Sequence, residues 1–137
     1  MSLFFACLFS YLIGSIPNGL ILGKLLWNID LREYGSHNIG ATNAWRTLGK
    51  GPGLLIFFLD FLKGVIGVWL GSMVSGTPIS LVLVGIFAIL GHSCSLFLHF
   101  KGGKGVATGL GVIAMLMPQT TIVVFLFWLI IVYLTRY

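Results

Sequence analysis

Long apolar runs alternate with two short polar islands along the chain. Residues 2–23 carry no charge, and this stretch at about 1.5 Å per helical residue crosses a ~30 Å hydrocarbon core. Ser15, Pro17 and Asn18 interrupt this first span and predict a kink, because proline removes a backbone donor and crowds the turn before it. Gly14, Gly19 and Gly23 read as close-packing positions, with Gly19-x-x-x-Gly23 in the small-residue helix-contact pattern.

Residues 24–50 form the first polar island. Residues 28–33 are short and amphipathic and suit the membrane interface. A glycine-rich stretch, residues 35–50, follows with Ser36, His37, Asn38, Thr42, Asn43, Arg46 and Lys50. Thr42 or Asn43 is expected to cap a short helix through residues 44–48, which Gly49 stops.

A second span is predicted over residues 53–72. It holds Asp60 and Lys63 three apart, on one helical face. Intramembrane charges face a protein interior or a wet cavity, so the pair is either an internal ion pair fixing helix packing or part of a site. Ser75-Gly76-Thr77-Pro78 reads as a turn, and a third span covers residues 79–97 with His92, Ser93 and Ser95 near its end. The second polar island, residues 99–105, has the sequence His-Phe-Lys-Gly-Gly-Lys-Gly.

Residues 106–135 are uncharged and would make one helix of about 45 Å, too long for the hydrocarbon core. Pro118 divides them, which predicts a helical hairpin: a short fourth helix, then a fifth over residues 121–134. The expectation is therefore an all-α polytopic membrane protein of about five transmembrane helices, forming a single domain over residues 1–137. Lys24, Arg32, Arg46, Lys50, Lys101 and Lys104 lie in the two loops flanking the second and third spans, whereas residues 72–78 hold no Lys or Arg. By the positive-inside rule both islands are cytoplasmic and the N-terminus is outside; the hairpin returns Arg136 to the cytoplasm.

Composition reinforces this reading. The chain is 58% hydrophobic and 8% charged, with a mean hydropathy of +1.06. The formal charge of +5 sits mostly in the islands and lacks the basic, aromatic-interleaved helix of a nucleic-acid binder. Anionic ligands or lipid headgroups suit it better. Cys7 and Cys94 lie in separate apolar runs and read as small hydrophobes, not a disulfide or metal pair. The N-terminus lacks a basic flank and reads as a retained span, not a cleaved signal.

Lys101-Gly102-Gly103-Lys104-Gly105 has the make-up of an anion nest and leads into a helix, whose N-terminus favours negative charge. It is not a nucleotide P-loop, since the full pattern and the preceding strand are missing. Arg46 adds a planar fork for bidentate phosphate binding. His37, His92 and His99 show no metal-ligand spacing, and none is followed five residues on by Asp. Ser36 lies outside a G-x-S-x-G elbow.

These two islands resemble the signatures of the bacterial acyl-phosphate-dependent glycerol-3-phosphate acyltransferases. The first is Gly35-Ser36-His37-Asn38-Ile39-Gly40-Ala41-Thr42-Asn43 with Arg46-Thr47-Leu48-Gly49-Lys50; the second runs from Gly91-His92 through Lys101-Gly102-Gly103-Lys104-Gly105-Val106-Ala107-Thr108. Gly14-Ser15-Ile16-Pro17 and Asp60 with Leu62-Lys63-Gly64 are similar as well. His37 stands where the family usually has a small residue, and Ser95 where it usually has proline.

The resemblance implies a multi-pass enzyme of the bacterial inner membrane, active in phospholipid synthesis. It would move a fatty acyl group from acyl phosphate to the 1-hydroxyl of glycerol 3-phosphate, giving lysophosphatidate and phosphate. It implies no cofactor and no metal, because an acyl phosphate is already an activated anhydride. Carried over by position, Ser36 and Arg46 are the expected catalytic residues. Asn38, Gly40, Thr42, Asn43, Lys101, Gly102, Gly103, Lys104 and Thr108 are the expected phosphate-binding set. With no protein base in view, a substrate phosphate oxygen is expected to take the hydroxyl proton. The resemblance also implies further spans and a third signature, bearing Asn and His, beyond Tyr137, where this sequence ends. A small transporter or channel module built on Asp60 and Lys63, or a membrane remnant without catalysis, are the alternatives. The sequence sets no oligomeric state.

Overall fold

The computed structural model describes residues 2–136, and among these the chain is entirely helical. The helices are α1 (Leu3–Ser15), α2 (Asn18–Trp27), α3 (Ala41–Leu48), α4 (Lys50–Ser72), α5 (Pro78–Ser93), α6 (Val106–Leu116) and α7 (Pro118–Thr135). Short 3-10 turns lie at Leu31–Glu33 and Leu96–Leu98. Among the described residues four stretches are long and apolar enough to cross a membrane: Leu3–Trp27, Lys50–Ser72, Pro78–Leu98 and Pro118–Thr135. α6, at 11 residues, is about 16 Å long and falls short of a full crossing. The expected five helices are thus four of spanning length and one short one.

The expected kink in the first span is a clean break. α1 ends at Ser15 and α2 begins at Asn18, on either side of Ile16 and Pro17. Carbonyls freed at a helix break need partners in lipid, and α4 and the segment just past α5 supply them. Ser95 Oγ donates to Ser15 O at 2.5 Å, and Lys63 Nζ donates to Ile16 O. Ser15 Oγ accepts from Leu96 N at 3.3 Å, which ties the break to the end of α5 from both sides.

Helix contacts rest on missing side chains. A Cβ at Gly14 would lie 2.2 Å from Ala88 O, and one at Gly91 would lie 2.2 Å from Tyr11 O, so α1 and α5 touch backbone to backbone. Gly64 and Gly111 join α4 to α6 in the same way. Gly19 and Gly23 pack not against another span but against the first polar island, near Ile39 O and Ile29 O. Past the break, the glycine face of α2 thus beds the loop.

The amphipathic stretch 28–33 forms only a 3-10 turn, with Leu31 fully buried against Ala44 and Ile56. α3 starts one residue before the expected caps, at Ala41, and Gly49 ends it with φ +101. α7 starts at Pro118 rather than residue 121, because proline is tolerated in a first helical turn. α6 and α7 are neighbours, and α7 has no buried residue.

Asp30 fastens the turn after α2. Its carboxylate takes the Arg32 Nη2 at 2.7 Å, the Arg32 N–H at 3.0 Å and Lys24 Nζ at 3.0 Å. The Arg32 side chain above all, with its N–H and Lys24, holds this carboxyl well below the usual carboxylate range, against the opposing effect of burial. A carboxyl with a depressed folded pKa adds stability that is present above its unfolded value and lost as pH falls through the folded one. The stability difference between wild type and Asp30→Asn should therefore stay constant from pH 7 down to about pH 4 and shrink only below that. Urea unfolding of both proteins in micelles at a series of pH values tests this. A difference already gone at about pH 5 would contradict it.

Candidate active site

Asn43 organises the first polar island. It is 1% exposed, and its Nδ2 donates to Leu31 O, Tyr34 O and Asn38 O at 3.0, 3.0 and 2.8 Å. Its Oδ1 accepts the Ser36 N–H at 2.9 Å. Gly35, at φ +60, passes so close to that amide that a Cβ would lie 2.3 Å from Oδ1. Asn38 likewise turns onto its own loop, accepting the Gly40 N–H at 2.9 Å. These amides fold the loop and leave the Ser36 hydroxyl and the Arg46 guanidinium exposed.

The second island folds back onto α5. The last carbonyls of a helix lack intrahelical donors, and here Gly103 N donates to His92 O and Gly102 N to Ser93 O, both at 3.0 Å. A Cβ on Gly102 would sit 2.0 Å from His92 O, and one on Gly103 would sit 2.2 Å from His92 Nε2. The loop then enters α6 through Gly105 at φ +74, bringing Lys104 and the unpaired first N–H groups of α6 forward.

The two islands meet at a polar pocket of about 270 Å³. Ser36, Asn38, Gly40, Thr42, Asn43 and Arg46 line it from one side, and Lys104, Gly105, Val106 and Ala107 from the other. Among the described residues neither Arg46 nor Lys104 has an ion-pair partner. Lys101, Gly102, Gly103 and Thr108 do not line it. The N–H groups of Gly102 and Gly103 are taken by α5, and Thr108 is fully buried with Oγ1 unpartnered, where α6 crosses Gly64 of α4.

Two ionisable lining residues are absent from the set expected from sequence. Asp60 reaches the pocket from α4 and His92 from α5. Asp60 is 2% exposed and Lys63 4%, with Lys63 Nζ 2.9 Å from Asp60 Oδ1. His92 Nδ1 lies 3.8 Å from the same oxygen. An intramembrane carboxylate is visible in the sequence, but its approach to His92 depends on how α4 packs against α5.

Beside the polar pocket lies an apolar cavity of about 810 Å³ between α3, α4, α6 and α7. Ala41, Thr42, Arg46, Phe57 and Val106 line both spaces, so the polar pocket adjoins an apolar one at Arg46. Leu54, Leu110, Val124 and Trp128 continue its walls.

Helices of membrane-spanning length that carry Arg46 and Lys104 at a pocket beside an apolar cavity define an all-helical membrane protein with a polar site. The family model described as glycerol-3-phosphate acyltransferase matches residues 4–137, and the chain belongs to that family. It is 48% identical over 128 residues to the glycerol-3-phosphate acyltransferase of Desulforamulus reducens, covering 93% of this chain and 64% of the relative. It is 42% identical over 137 residues to that of Fusobacterium nucleatum, covering 100% and 71%. Among solved structures it is similar to PlsY, an integral membrane glycerol 3-phosphate acyltransferase, in its glycerol 3-phosphate form. The TM-score is 0.90 at 46% identity, over 98% of this chain and 68% of that one. The lysophosphatidic acid form of PlsY gives a TM-score of 0.85 at 44% identity, over 95% and 64%. The chain thus spans about two thirds of the length of these relatives.

Proposed function

We propose that this chain carries the substrate-binding loops of an acyltransferase that moves a fatty acyl group from acyl phosphate to the 1-hydroxyl of glycerol 3-phosphate, at the cytoplasmic face of a bacterial inner membrane. The observation that carries the reading is the junction at Arg46, where a cationic pocket adjoins an apolar cavity. An acyl phosphate has that division of chemistry within one molecule. The names of the two PlsY structures, with glycerol 3-phosphate and with lysophosphatidic acid, support the same substrate class.

Arg46 and Lys104, with the first N–H groups of α6, neutralise phosphate charge that grows as the acyl–oxygen bond breaks. The loop scaffold of Asn43 and Asn38 holds the Ser36 hydroxyl where it can hydrogen-bond the substrates. The acceptor hydroxyl oxygen attacks the acyl carbon, the bond from that carbon to the phosphate oxygen breaks, and the hydroxyl proton goes to a phosphate oxygen. The acyl tail occupies the cavity walled by Leu54, Leu110 and Trp128.

The purified chain, supplied with acyl phosphate and glycerol 3-phosphate, is expected to form lysophosphatidate. Ser36→Ala and Arg46→Ala should each lower that rate by about a hundredfold or more. Both side chains are exposed, so the unfolding midpoint should hold. Full activity in either variant rejects its assignment.

A further inference from the structure

We propose that Asp60 is a ligand-binding residue of the polar pocket, accepting a hydrogen bond from a hydroxyl of a phosphorylated polyol. This deepens the proposed function and rests on it. The closest contact of each of three polar partners of the carboxylate falls on one oxygen. Asn18 Nδ2 donates to Oδ1 at 3.1 Å, Lys63 Nζ lies 2.9 Å from Oδ1, and His92 Nδ1 lies 3.8 Å from it. Oδ2 takes none of them, and Asp60 forms part of the inner wall of the pocket. A carboxylate oxygen has room for two donors, so Oδ2 is the acceptor that this side chain presents to a ligand.

The chemistry of the pocket says what that ligand is. Arg46 and Lys104 are donors with no acceptor capacity, and they suit phosphate oxygens. Asp60 is the one carboxylate among the lining residues. A phosphate dianion has no proton to give it, whereas an alcohol has. The amide oxygens nearby are already engaged: Asn38 Oδ1 with Gly40 N, and Asn43 Oδ1 with Ser36 N. Lys63, buried beside Asp60, cancels its charge and keeps it from repelling the phosphate. A molecule with a phosphate at one end and a hydroxyl at the other satisfies both halves. A phosphate ester without hydroxyls satisfies only the cations.

Asp60→Asn changes the right atom. The converging donors hold the amide oxygen in the place of Oδ1, and the amide nitrogen replaces Oδ2 with a donor. Lys63→Met in the same chain removes the cation that would otherwise be left without its partner. The double variant is compared with wild type by isothermal titration of the full chain in lipid nanodiscs, using glycerol 3-phosphate and propyl phosphate, which has the same phosphate and carbon count but no hydroxyl. Wild type should bind glycerol 3-phosphate about ten- to a hundredfold more tightly than propyl phosphate, the range of a hydrogen bond to a charged group. The variant should bind both alike, with propyl phosphate affinity within about twofold of wild type. A variant that keeps the preference, or loses affinity for both ligands equally, overturns the Asp60 assignment while leaving the acyltransferase reading intact. A wild-type chain that binds neither ligand overturns that reading and the proposal with it.

Discussion

Gly102→Ala is expected to abolish acyl transfer, lowering it by at least about a hundredfold, and to destabilise the chain by about 2–4 kcal/mol. The added Cβ would lie 2.0 Å from His92 O, a backbone atom inside α5 that cannot rotate away. Relief requires the loop to lift. Lifting breaks the hydrogen bonds from Gly102 N to Ser93 O and from Gly103 N to His92 O, leaving two helix-end carbonyls unpaired. Lys104 then moves with the loop, away from Arg46. Gly51→Ala is the control: it lies in the first turn of α4, nothing is within 4 Å of its added Cβ, and alanine favours helix over glycine. Thermal unfolding in micelles and an acylation assay on both variants separate the cases. An active, wild-type-stable Gly102→Ala protein would mean that the second island does not lie on α5.

That loop also shows where sequence reasoning reaches its limit. The spans were legible because lipid demands long apolar runs, and Leu3–Trp27, Lys50–Ser72 and Pro78–Leu98 supply them. The break at Pro17 was legible because proline has a local effect. The meeting of the two islands was legible through shared sidedness alone, since charge in the loops reports which face of the membrane they occupy. What glycine and asparagine do within those islands was not. A run such as Lys-Gly-Gly-Lys-Gly has the same composition whether its N–H groups face a phosphate or cap a helix, and in the fold those of Gly102 and Gly103 cap α5. Asn43 is likewise a ligand candidate by residue type and a loop fastener by position. His92 was legible as part of the second signature but not as a neighbour of Asp60, because that approach exists only once α5 packs its end against a residue 32 positions away.

Lys63→Met should be the most destabilising single change in the buried polar cluster, at about 3–5 kcal/mol. Lys63 and Asp60 are almost fully enclosed, so little water reaches either charge. With the ammonium gone, the carboxylate keeps only Asn18 and the more distant His92, and Ile16 O loses its side-chain donor at the break in the first span. The greater part of the loss belongs to the stranded charge, not to the missing contacts, and that is separable. Neutralising the partner as well, in Asp60→Asn with Lys63→Met, should recover all but about 1 kcal/mol, roughly the worth of the lost hydrogen bond to Ile16 O. Unfolding of the single and double variants in the same micelle measures both. If the double variant is as unstable as Lys63→Met, the cluster is held by its hydrogen bonds to the broken span and not by charge balance. If it recovers, the ion pair is a neutralising device: Lys63 is there so that an acceptor, Asp60, can stand in the wall of a pocket whose other charges are all cationic.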